Sequence, residues 1–175
     1  SELIGYLSRN KNIFDHLVYF LEVYGHKIKN KEQYAFLKVK TLEYVLSGQR
    51  NYKLGLDLIV EIEEIIKNHK EVKPLTRALF YTNVSNYYMW CYDNEAALKA
   101  IDLAHNAMMP FIEDKKVLSE FCRLNIYKAY IEYLRGDHES CLKSLNHLCS
   151  LVDINTASPY LRSVYYYVKS SLLYD

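Results

Sequence analysis

The 175-residue sequence predicts an all-α protein, and three observations carry that expectation. Apolar residues recur at spacings of three and four along most of the chain, the period of an amphipathic helix. Glycine (5) and proline (3) are scarce, so few positions can supply the tight turns that sandwiches and barrels need. Half of the residues are apolar and a quarter charged, which is enough to build a core.

Eight helices follow in order. The first runs from about Asn12 to Ile28, with Ile13, Leu17, Phe20, Leu21 and Tyr24 on one stripe. The second covers Lys31 to Ser47, and Gly48-Gln49-Arg50-Asn51 breaks it. In the third, Tyr52 to Asn68, Leu54, Leu58, Ile59, Ile62, Ile65 and Ile66 form a wide apolar face, while Asp57, Glu61, Glu63 and Glu64 read as a solvated one. Pro74 opens the fourth, which ends near Trp90, because proline is tolerated in a first turn and disfavours helix before it. Asp93-Asn94 makes a corner and caps a fifth helix over Glu95 to Ala107, which Met108-Met109-Pro110 ends. A sixth spans Lys116 to Leu134. Gly136-Asp137 then pairs a C-cap with an N-cap, and a seventh runs from His138 to Val152. Pro159 opens the last, which reaches Tyr174.

Several functional classes are excluded early. Lys plus Arg (22) and Asp plus Glu (21) balance, so no broad electrostatic footprint for nucleic acid or anionic lipid is expected. No apolar run is long enough for a membrane span. Lys27, Lys29, Lys31, Lys38 and Lys40 form a local basic stretch without an aromatic stacking motif, which reads as solvation. No phosphate loop, HExxH or nucleophile elbow occurs, so neither a cofactor nor catalysis is expected. His138, Cys141, His147 and Cys149 are the nearest approach to a metal set, but Cys141 and Cys149 stand about 12 Å apart along one helix, too far to share one ion. The four cysteines are scattered and read as free thiols of a reducing compartment, which points to the cytoplasm. Ser1-Glu2-Leu3-Ile4 carries neither Met nor a signal pattern, so the sequence reads as one piece of a longer protein.

A repeat underlies the helices. Asn51-Tyr52-Lys53-Leu54-Gly55-Leu56, Asp93-Asn94-Glu95-Ala96-Ala97-Leu98 and Asp137-His138-Glu139-Ser140-Cys141-Leu142 each set a polar corner before a small residue and a leucine. The small residues Gly55, Ala97 and Cys141 recur every 42 and 44 residues, and twelve positions upstream stand Glu43, Ser85 and Ala129. This pattern resembles the tetratricopeptide (TPR) repeat, in which two helices of a hairpin approach through small residues. Its period is longer than the usual ~34, Glu43 replaces a small residue, and Glu132 stands where the family has an aromatic.

The resemblance implies a single domain over 1–175, a right-handed α-solenoid of about four stacked antiparallel hairpins with a concave groove. It places Lys40, Tyr44 and Ser47 of the first repeat toward that groove. From the second it places Thr82, Asn86 and Met89, with Asn83 beside them, and from the third Arg123, Ile126, Tyr130 and Tyr133. Lys40, Asn86 and Arg123 are similar to the sets with which some TPR proteins hold a peptide carboxylate. The implied function is a non-enzymatic scaffold for a protein or peptide. The alternative is a ligand- or peptide-sensing domain of a larger bacterial transcription or signalling protein. The last helix, with Tyr165, Tyr166, Tyr167, Val168, Leu172, Leu173 and Tyr174, is apolar nearly all round, so a further repeat or self-association is expected there.

Overall fold

The computed structural model describes residues 11–156 and 159–174. Every regular element among them is helical. Contacts divide the chain into two compact units, Ser1–Asp93 and Asn94–Asp175, and the division falls at the Asp93-Asn94 corner.

The first unit holds α1 (Lys11–Tyr24), α2 (Lys31–Tyr44), α3 (Tyr52–Asn68) and α4 (Pro74–Trp90). The bounds of α3 and α4 are those the sequence predicts, because Asn51 caps one and Pro74 starts the other. The Asn51 side chain accepts the Leu54 N–H at 3.1 Å, and Asn30 does the same for Gln33 at 3.0 Å at the start of α2. The regular parts of α1 and α2 end a turn earlier than expected. A 3₁₀ turn, Gly25–Lys27, follows α1, and a wide π-helical turn, Val45–Gln49, follows α2. The residue that then reverses the chain is Arg50, held at a left-handed φ of 53°.

α4 has no side-chain cap of its own, and Glu32 at the head of α2 supplies one. Its carboxylate accepts the Lys73 N–H at 2.6 Å and the Thr76 hydroxyl at 2.8 Å, joining two helix starts that are far apart in sequence. α2 packs against α1, α3 and α4, and α3 also touches α4. Val39, Leu42, Ile62, Ile66 and Phe80 fill the interior. Gly55 leaves room for Leu46: a Cβ there would stand 2.6 Å from Leu46 Cδ2, and that side chain would have to shift.

The second unit holds α5 (Asn94–Met108), α6 (Lys115–Leu134), α7 (His138–Leu151) and α8 (Pro159–Tyr174). Gly136 takes φ +74°, the left-handed end expected of it, and Asp137 accepts the Ser140 N–H at 3.1 Å. That bond, with one from the Ser140 side chain, lowers the Asp137 pKa from its ordinary value. α6 is the hub: it packs against α5, α7 and α8, and α7 also meets α8. Cys122, Ile126, Ala129, Cys141, Leu145, Leu148, Tyr165 and Val168 form one buried cluster there.

The small residues that recur in the sequence are interior. Gly55, Ala97 and Cys141 are all buried, as are Ser85 and Ala129 upstream. Glu43, the odd member, is exposed and bonded to Lys40 at 2.7 Å. Two exposed ion pairs repeat with the same period, Glu95 with Lys99 and Glu139 with Lys143, each one turn apart on the outer side of α5 and α7.

Candidate binding face

Of the residues that the resemblance places in a groove, nine fall into three groups. Thr82 and Asn83 are interior, 2 % and 6 % exposed. The Thr82 hydroxyl donates to the Ala78 carbonyl at 3.0 Å and the Asn83 amide to Leu79 at 2.9 Å. Short polar side chains that satisfy themselves on their own helix can be buried at little cost, which explains why their polarity does not mark a surface. Ile126 is interior for the simpler reason that it is a core aliphatic. These three positions are therefore packing residues, a correction to the groove assignment.

The second group consists of paired cations. Lys40 is half-buried, bonded to Glu43 at 2.7 Å, with its ammonium 6.0 Å from the centre of the Phe36 ring. Arg123 donates from Nε at 3.0 Å and from Nη2 at 2.7 Å to one oxygen of Glu120, and its guanidinium lies 5.3 Å from the Tyr127 ring centre. Burial works against the Arg123 charge, but Glu120 and then Tyr127 outweigh it and raise the pKa above its ordinary value. Each cation is thus already engaged by a carboxylate three residues away. A peptide carboxylate would have to compete for it.

The third group is half-exposed. Tyr44 lies along the π turn, its ring 3.0 Å from where a Gly48 Cβ would stand. Asn86 is half-buried on α4. Tyr130 packs against the α6–α7–α8 cluster and stands 6.3 Å from the Tyr167 ring of α8. Tyr133 turns to the hairpin end, stacked on His138 at 5.9 Å with an 18° interplanar angle.

On α6, Glu120, Arg123, Tyr127, Tyr130 and Leu134 fall three or four apart and are each at least partly exposed, as are Lys128 and Tyr133 beside them. They make one continuous strip of an acid, an arginine, two tyrosines and a leucine. Tyr127, at the centre of that strip, is the residue the groove assignment missed. Its spacing of four from Arg123 and three from Tyr130 was the signal that could have found it.

The basic stretch and the acidic face of α3 are also rearranged. Lys38 is buried and binds Glu61 at 2.9 Å; the Tyr34 hydroxyl donates to the other oxygen of Glu61 at 3.1 Å. Burial, and then Glu61, push the Tyr34 hydroxyl up to about 12. Glu61 is therefore a fastening between α2 and α3, not a member of a solvated face.

Among the described residues no group of three or more His, Cys, Asp or Glu side chains could hold a metal ion. Cys141 is buried in the core, His138 lies on Tyr133, His147 meets the edge of Phe121, and the Cys149 thiol donates to the Tyr165 hydroxyl at 3.2 Å. Burial raises Cys122 and Cys141 to about 11, so neither thiol is a ready nucleophile. No described helix is long and apolar enough to cross a membrane. No family model matches the chain, and neither a curated protein nor a solved structure shows significant similarity to it.

Proposed function

We propose that the chain is a TPR-like scaffold that binds a protein or peptide segment, without catalysis, and that the outer strip of α6 is the centre of its binding face. The observation that carries this reading is the strip itself: Arg123, Tyr127 and Tyr130, one per turn, half-buried and fixed in place by Glu120 and Tyr167. Arginine and tyrosine dominate the energetics of protein interfaces because each offers wide contact area with a polar end and few rotors to immobilise. Side chains already held by their neighbours lose less entropy when a partner arrives. The helix contacts agree with a repeat: α2 touches both α3 and the next leading helix α4, and α6 touches both α7 and the next leading helix α8.

Peptide display against the purified chain tests the proposal. The expected result is a set of enriched peptides that bind at about micromolar Kd, lose roughly tenfold or more in affinity with Tyr127→Ala or Tyr130→Ala, and leave helical circular dichroism unchanged. Peptides that bind these variants as well as the parent, or an empty selection, would remove α6 as the binding face.

A further inference from the structure

Two helices, one in each unit, carry wide exposed apolar faces. On α1 these are Tyr19 (63 % exposed), Phe20, Val23 and Tyr24; on α8 they are Tyr166, Tyr167 and Leu173 (78 % exposed). The charges that flank the two faces differ in sign. Over residues 15–24 of α1 the ionisable groups apart from the tyrosines are Asp15, His16 and Glu22; over 162–173 of α8 they are Arg162 and Lys169.

Successive residues turn by about 100° around a helix. With Leu21 pointing inward, Asp15 and Glu22 share one flank of α1. With Tyr165 and Val168 pointing inward, Arg162 and Lys169 share the flank of the same rotational sense on α8. Both pairs are seven residues apart, two turns, or about 10.5 Å along the axis. When two helices lie face to face, flanks of the same sense meet only if the helices run antiparallel. In that arrangement Asp15 comes opposite Lys169 and Glu22 opposite Arg162, with the tyrosine stripes closed between them.

We infer that copies of this chain associate head to tail, α8 of one lying antiparallel across α1 of the next. A second copy is the occupant because both halves of the match, in sign and in spacing, are present on this one chain. The groups keep the capacity for it. Asp15 accepts from Gln49 through one oxygen at 3.2 Å, and Arg162 donates from Nη1 to the Asn155 carbonyl at 3.2 Å. Lys27, over the Tyr24 ring at 5.1 Å, lies on the other flank and does not enter the charged edge. The contact joins two different surfaces, and each copy carries both of them.

Sedimentation velocity over a concentration series tests the inference. The parent is expected to show a weight-average mass that rises with concentration and falls with added salt. Asp15→Lys with Glu22→Lys, and separately Arg162→Glu with Lys169→Glu, each weaken association by roughly tenfold or more. Mixing the two charge-reversed chains restores it, since each altered flank then meets its complement. Circular dichroism of both variants reports that they remain folded. A parent that stays monomeric throughout overturns the inference. So does a dimer that the α8 variant abolishes and the α1 variant leaves intact, because that pattern means α8 pairs with its own copy.

Discussion

The helix pairs α2–α3 and α6–α7 share the same corner-small-leucine pattern in the sequence, yet they are joined by different means. Between α6 and α7 the seam is aliphatic: Ile126, Ala129, Cys141, Leu145 and Leu148 are all buried in one cluster. A polar bond crosses it, from the Ser144 hydroxyl to Glu132 at 2.7 Å. Between α2 and α3 a polar knot shares the work. Glu61 receives both Lys38 and Tyr34, and the glycine at 55 lets Leu46 come close. The same corner-small-leucine pattern therefore specifies that two helices meet, but not what holds them. An aliphatic seam tolerates loss of polarity and is sensitive to volume. A polar knot is the reverse.

The largest expected effect tests the aliphatic side. Leu148 is fully buried, so Leu148→Ala leaves a cavity in the α6–α7–α8 cluster and should cost about 3 kcal/mol. Urea unfolding monitored by circular dichroism reads this as a lower midpoint. A change under about 1 kcal/mol would mean that the seam is loosely packed.

Acid should next separate the two units. His105 lies on α5 with its ring 4.4 Å from Phe121, and its Nε2 is buried without a hydrogen-bond partner. Burial first, then Lys128 and, less strongly, His147, push its pKa down to about 4, while Asp102 pulls the other way. The unfolded chain takes up this proton near pH 6.5 and the folded unit near 4. Stability from this group is therefore present above pH 6.5 and lost as pH falls toward 4, by at most about 3 kcal/mol. Hydrogen exchange should show α5 and α6 loosening over that window ahead of α2 and α3. His105→Phe should remove the difference; equal loosening of both units in the parent would assign the acid response elsewhere.

On the polar side, Glu61→Ala strands the buried Lys38 ammonium. Loss of the partner should cost about 2 kcal/mol, less than a fully buried pair because the Glu61 side chain is only partly buried. Lys38→Met, which removes charge and keeps bulk, should recover much of that loss in the Glu61→Ala background. A double-mutant cycle measures the coupling, and additivity would mean the knot is ornamental.

These contrasts also show what could be read from the residues alone. Helix bounds were legible where a residue acts on its own backbone: Pro74, Asn51, Gly136 with Asp137, and Pro159 each fix an end locally. The buried small positions were legible because they recur. The site was much less so. Glu61 has its partners 23 and 27 residues upstream, so its spacing on α3 looks like any solvated acid. Thr82 and Asn83 bury their polarity by bonding back along α4, which no composition argument detects. Arg123 and Tyr130 belong to an open strip, but the strip is recognisable only once the inner face of α6 is known, because that helix carries apolar or aromatic residues on nearly every side.

The smallest effect sharpens the comparison most, because it has an unusual sign. Glu132 stands where the resemblance expects an aromatic, is 7 % exposed, and accepts from Ser144. Burial raises its pKa, while the Ser144 bond and Lys128 lower it and the nearby acids Asp137 and Asp102 add to the rise. A raised pKa means that the folded unit binds this proton more readily than the unfolded chain does. The contribution is favourable below the ordinary carboxyl range and is lost as pH rises through the folded pKa. At neutral pH the charged form is therefore a burden to α6. Glu132→Gln keeps an acceptor for Ser144 and removes the charge, so it should stabilise the protein at pH 7 by under about 1 kcal/mol. The gain should shrink as pH falls toward the carboxyl range, opposite in direction to the His105 effect. Thermal unfolding at pH 7 and pH 5 distinguishes the outcomes. A variant less stable than the parent at both would show that the ionised carboxylate is itself part of what closes the seam, and the aliphatic pair would then be as dependent on charge as its polar counterpart.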